Sequence, residues 1–126
     1  MELLSGIIQT YIDRRAWFAE LLLQHIELSA IAIGLAGCIG LLLGIWISAH
    51  EKAAPVVLGI ANVFYTIPAI SLLGILIPFV GIGNKPTIIA LTIYGIMPMV
   101  RNTYTGIKGV DEDVVLAARG MGSTDR

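Results

Sequence analysis

The sequence predicts an all-α membrane protein, with three transmembrane helices, an N-terminal amphipathic helix before them and a short helix outside the bilayer after them. Three observations lead there. Apolar residues make up 56% of the 126 residues and charged residues 13%, with a mean hydropathy of +0.85, a composition suited to a bilayer rather than to water. Three strongly apolar blocks are separated by short charged breaks. From Arg101 to Arg126 the pattern reverses, and this stretch holds four of the eight basic and four of the nine acidic residues.

The same composition excludes several function classes. A net charge of −1 and a pI near 6.0, with Lys and Arg scattered along the chain, leave no electrostatic footprint for nucleic acid. The one cysteine, Cys38, lies inside an apolar run and supplies neither a disulfide framework nor a metal-ligand set. There is no P-loop, no H-E-x-x-H and no Gly-x-Ser-x-Gly, and His25 and His50 fall at opposite ends of a predicted span. Ser123-Thr124 follows Gly122 without the lysine or spacing of a Walker motif. Neither enzymatic activity nor a cofactor is expected.

Met1 to Glu27 reads as the amphipathic segment. Leu3, Leu4, Ile7, Ile8, Tyr11 and Ile12 recur at helical spacing, and Glu2, Gln9 and Asp13 fall elsewhere. Trp17 and Phe18 beside Arg14 and Arg15 suit headgroup depth, where aromatic rings and cationic heads settle. A solvated N-terminus is the alternative. A cleaved signal peptide is disfavoured, because Glu2, Asp13, Glu20 and Glu27 outnumber the two arginines where a basic region would be needed.

The membrane domain is expected over 28–110. Leu28 to Ala49 is uncharged for 22 residues, enough for a first span. Gly34, Gly37, Gly40 and Gly44, at offsets of three, three and four, predict a small-residue face for close helix packing, with a permeation role as the alternative. His50-Glu51-Lys52 leaves room only for a tight reversal. Ala53 to Val80 then runs uncharged for 28 residues, longer than a straight span needs. Pro68 in its middle predicts a kink near Thr66-Ile67-Pro68 within a second span of about 55–79. Thr66 and Pro68 are candidate pathway residues, since a broken membrane helix frees backbone groups for water or solute; a simple packing kink is the alternative.

Gly81 to Pro86 is a loop by composition, with Pro86 suited to start a helix. Thr87 to Val100 is uncharged for only 14 residues, so the third span must extend, to about 86–107, and take in Arg101, whose head group can snorkel to the interface. Pro98 predicts a bend. In the last segment, 111–126, Asp111, Glu112 and Asp113 stand where a helix N-terminus favours negative charge. Gly120 and Gly122, bracketing Met121, offer a stop, and Val114, Ala118 and Met121 share one face. With an external N-terminus, Lys52, Arg101, Lys108, Arg119 and Arg126 are cytoplasmic against Arg14, Arg15 and Lys85 outside, as the positive-inside tendency favours.

Ala117-Ala118-Arg119-Gly120-Met121-Gly122 resembles the first half of the E-A-A-x-x-x-G loop of bacterial ABC importer permeases, the cytoplasmic coupling helix that docks into the ATPase subunit. The run Arg101 to Val110, with Thr66-Ile67-Pro68-Ala69 and Gly81-Ile82-Gly83, resembles the osmoprotectant branch, whose substrates are glycine betaine, carnitine and choline. The resemblance implies a partial type I ABC importer permease fold in the bacterial cell membrane, multi-pass. It implies docking residues Ala117, Ala118 and Gly122, a separate ATP-binding subunit, an extracytoplasmic substrate-binding protein and a second permease subunit, identical or not. Leu116 stands where the motif normally has Glu, and the sequence stops before the motif's closing I-x-L-P, so a C-terminally truncated permease is expected. A non-transporting remnant or split half, and a permease for another small solute such as an amino acid, are the alternatives. Quaternary ammonium recognition favours aromatic cages, but Tyr65, Tyr94 and Tyr104 lie on different segments and nothing in the sequence brings them together.

Overall fold

The computed structural model describes residues 2–124, and among these every regular element is helical. The order is α1 (Glu2–Asp13), α2 (Arg15–Ala49), α3 (Ala54–Thr66), α4 (Ala69–Val80), α5 (Asn84–Lys108) and α6 (Glu112–Gly120).

Helix α1 is separated from α2 only at Arg14, and Tyr11 stacks on Phe18 across that joint with ring centroids 4.5 Å apart. Leu3, Leu4, Ile7, Ile8 and Ile12 are exposed, so the apolar side of α1 is not covered by the rest of the chain. The sequence placed a boundary at 27/28, whereas α2 runs unbroken through it for 35 residues. The charges at Glu20 and Glu27 mark where the apolar run begins. They do not end a helix, and no Gly or Pro lies between Arg15 and Leu28 to do so.

Helices α2 and α5 form the main pair. Gln24 Nε2 donates to Asn84 Oδ1 at 3.1 Å, Gly95 lies against Ala36, Gly40 against Met99 and Gly44 against Thr103. The partners advance together along both helices, so α2 and α5 run parallel. Contact is close because the buried positions of α2 are small: Ala32, Ala36, Gly40 and Gly44, one every four residues, with Ile47 beyond. A methyl group at Gly40 would stand 2.4 Å from Met99 Cβ, and one at Gly44 2.5 Å from Thr103 Cβ.

This corrects the expected four-glycine face, since nothing lies within 4 Å of a Cβ added at Gly34 or Gly37. At about 100° per residue, Gly34 sits roughly 120° around the helix from Gly40. The seam recruits two alanines in place of those glycines.

The segment between the pair must return along it. It leaves beside the C-terminus of α5, where Glu51 Oε1 accepts from Lys108 Nζ at 2.6 Å, and ends at Asn84, beside Gln24. Helix α3 packs on α5, with Ile47, Ala54 and Val100 forming a buried cluster flanked by Leu43, Val57 and Tyr104. Arg101 Nη2 donates to Asn62 Oδ1 of α3 at 3.0 Å.

A kink was expected near Pro68, and the structure has a full break, with α3 and α4 meeting at 92°. Pro68 has no N–H for the helical ladder, and its ring pushes the preceding residue out of the helical region, so Ile67 is extended at φ −69°, ψ 125°. Pro98, by contrast, stays inside α5.

Among the described residues, α2 alone is long and apolar enough to cross a membrane, and α3 with α4 pass the same test together as one bent segment. Many large apolar side chains are exposed, Leu42, Ile70 and Phe79 among them, a distribution opposite to that of a water-soluble core.

Candidate functional site

Two regions concentrate the unusual chemistry. The first is the break between α3 and α4. Phe64 O, denied its helical donor by Pro68, accepts the Ile67 N–H at 3.3 Å, and Val63 O accepts the Thr66 hydroxyl at 2.7 Å. Ile67 O accepts the hydroxyl of Tyr94, which reaches across from the middle of α5. The Tyr94 ring also meets Tyr65 edge to face, with centroids 6.1 Å apart and planes at 72°. Pro98 in turn removes the donor that Tyr94 C=O would have had one turn on.

The result is an open hollow of about 610 Å³ bounded by Tyr65, Thr66, Pro68, Tyr94 and Pro98, with no Asp, Glu, His, Lys or Arg on its wall. Ile67, Ala69 and Gly95 complete its largely apolar wall. A second hollow of about 380 Å³ between α2, α3 and α5 is lined by Leu43, Val57, Phe64, Ile93 and Val100 and holds no group that would orient a polar solute.

The second region is α6. Asp111 caps it, its Oδ1 accepting the Asp113 N–H at 2.9 Å, while Glu112 and Asp113 occupy the first turn and Arg119 the last. It ends in a Schellman motif: Ser123 N donates to Ala118 O and Gly122 N to Arg119 O, both at 3.0 Å. That turn needs φ +91° at Gly122, where a side chain would be strained. Gly120, the other expected stop, lies within the helix.

No residue of α6 is buried, and it packs on no other helix among the described residues. Ala117 is exposed, Ala118 half-buried, and Leu116 is 61% exposed. Three residues separate it from α5, whose end is tied to the α2–α3 turn by the Glu51–Lys108 pair. The hydrogen bond from Lys108, and then its charge, hold the Glu51 carboxyl below the usual carboxylate range.

A membrane helix set with an interrupted middle segment and an uncovered, well-capped terminal helix narrows the families to compare. Residues 36–126 match the family described as binding-protein-dependent transport system inner membrane component. The chain belongs to this family of inner membrane transport components. It is 41% identical over 104 residues to the carnitine transport permease protein OpuCB of Listeria monocytogenes, covering 81% of this chain and 47% of that protein. It is 38% identical over 101 residues to the choline transport system permease protein OpuBB of Bacillus subtilis, covering 80% and 46%. With the osmoprotectant import permease protein OsmW of Salmonella typhimurium the identity is 39% over 122 residues, covering 93% and 57%. The chain spans about half the length of the curated relatives it matches.

For this inner membrane transport component, the site residues named from sequence fall in two places. Thr66 and Pro68 stand together at the break, and Ala117, Ala118 and Gly122 on or just past α6. Sequence reasoning left the three tyrosines apart. The structure brings Tyr65 and Tyr94 together and leaves Tyr104 against the Ile47 and Val100 cluster. The available signal was the pair Pro68 and Pro98, each removing a helical donor; their meeting depended on the α3–α5 register.

Proposed function

We propose that this chain forms the permease part of an ABC importer for quaternary-ammonium osmoprotectants such as glycine betaine, carnitine and choline. A separate ATP-binding subunit drives it and an extracytoplasmic binding protein feeds it. The observation that carries the reading is the family match over 36–126, which includes α6, joined to the names of its osmoprotectant relatives.

Three crossings, about 28–49, 55–79 and 86–107, are part of this reading, and the parallel run of α2 and α5 supports them. A chain that leaves one end of α2 and re-enters at the other end has to traverse the membrane in between, and α3 with α4 makes that return as one broken span. The excess of basic residues on the side of Lys52, Arg101, Lys108 and Arg119 supports an external N-terminus with α6 in the cytoplasm. Lipid and a second permease subunit cover the exposed apolar faces, and α1 lies at the interface.

Ala117, Ala118 and Gly122 are the docking residues. The two alanines let a partner groove approach the helix, and Gly122 makes the turn after it. When ATP closes the partner dimer, α6 is displaced and carries α5 with it, opening and closing access at the Thr66–Pro68 break.

The test is uptake of labelled glycine betaine by cells lacking other importers, with the ATP-binding subunit and binding protein co-expressed. Uptake that is competed by carnitine and choline but not by methionine is expected, with the ATP-binding subunit co-purifying. In a Cys38→Ser background, Ser123→Cys reacts with a membrane-impermeant maleimide only from the cytoplasmic side. Labelling from outside removes the topology, and competition by methionine alone removes the substrate class.

A further inference from the structure

We infer that the hollow at the α3–α4 break is a contact site for the quaternary ammonium group itself, with the Tyr65 and Tyr94 rings as its recognition surface. This rests on the transport reading above and adds a binding site to it.

A quaternary ammonium carries a permanent charge and no N–H, so it cannot be held by hydrogen-bond acceptors as a primary amine is. It is recognised by the negative faces of aromatic rings. Two such rings meet here at 72°, so that they present surfaces in two directions, beside an open hollow of about 610 Å³.

The C-terminal end of α3 and the N-terminal end of α4 meet at this break, so their opposite dipole ends offset one another, and Pro98 leaves the carbonyl of Tyr94 without its helical donor. No carboxylate lines the hollow. Attraction by rings and carbonyl dipoles alone is weak enough for a solute to leave, which a transit site requires and a tight anionic site would prevent.

The Tyr94 hydroxyl is committed to Ile67 O, which fixes its ring across the break, while Tyr65 is 56% exposed and free to meet a guest. Tyr65 is therefore the residue to perturb, since it is the more exposed of the two rings.

The experiment is carrier-mediated uptake of labelled choline and carnitine by the complete importer, at matched membrane levels of each variant. Tyr65→Phe retains uptake efficiency, and Tyr65→Leu lowers it by about three- to tenfold, the range of an exposed to partly desolvated cation–π contact. Phenylalanine analogues bearing one, two and three fluorines at position 65 lower it stepwise, because each fluorine weakens the ring's negative face. The same series at position 104 is flat. The neutral carbon isostere of choline, used as competitor, loses nothing on Tyr65→Leu.

A flat fluorine series at position 65, with normal wild-type uptake, overturns this site and leaves the transport reading standing. Absence of choline and carnitine uptake by the wild-type importer overturns both.

Discussion

Replacing Gly40 or Gly44 by alanine tests the α2–α5 interface directly. Non-bonded carbons sit about 3.5–4.0 Å apart at their optimum. The new methyl groups would begin 2.4 Å from Met99 Cβ and 2.5 Å from Thr103 Cβ, and a Cβ cannot swing away as the tip of a long side chain can. The helices must therefore separate by roughly 1 Å along a stretch where Ala36 and Gly95 are also in close contact. Overpacking of this kind costs about 1–3 kcal/mol. The helix-propensity gain of Gly→Ala is about 0.5–1 kcal/mol and offsets part of it. Gly34→Ala and Gly37→Ala meet open space, receive that gain alone and are predicted to be neutral or slightly stabilising.

Reversible unfolding in mixed micelles, followed by far-ultraviolet circular dichroism, separates the two pairs. Gly40→Ala and Gly44→Ala should unfold at lower denaturing-detergent fraction than wild type, Gly34→Ala and Gly37→Ala at equal or higher fraction. Equal shifts for all four would refute the assignment of the seam to every fourth residue.

Thr92 is 91% buried with its hydroxyl oxygen unpartnered, so Thr92→Val removes an orphaned polar atom and should raise stability by about 1–3 kcal/mol in the same unfolding assay. Leu116→Glu places a charge on the exposed face of α6 and should change ATP turnover coupled to uptake; unchanged coupling would mean position 116 does not touch the ATPase. The folded Glu51 carboxyl titrates below its unfolded value, so its contribution to holding the α2–α3 turn on α5 is present above the unfolded pKa and is lost as pH falls through the lowered folded one. Amide exchange at Gly109–Asp111 should accordingly rise with acid relative to Glu51→Gln, which lacks that dependence. Reversing the pair with Glu51→Lys and Lys108→Glu together should restore protection that either change alone removes.

Much of this architecture was written in local chemistry. The bounds of α6 follow from Asp111 as cap and Gly122 as the αL turn, both interactions between residues at most five apart. The break at Pro68 follows from a missing N–H and a restricted neighbour, so its place was legible while its size, 92° rather than a kink, was not. The apolar runs announced a lipid solvent because hydropathy needs no knowledge of who packs on whom.

What remained illegible is whatever depends on the register between helices distant in the chain. Four glycines on α2 looked alike in sequence, and only the arrival of α5 along one side of the helix distinguished Gly40 and Gly44 from Gly34 and Gly37. The convergence of Tyr65 with Tyr94, the Asn62–Arg101 and Glu51–Lys108 ties, and the parallel course of α2 and α5 are of the same kind. Short-range rules determine which residues are helical and where helices stop, because the partners are covalent near-neighbours. Which face is used is decided by packing, because a helix offers several apolar faces of similar composition and only the shape of its neighbour selects among them.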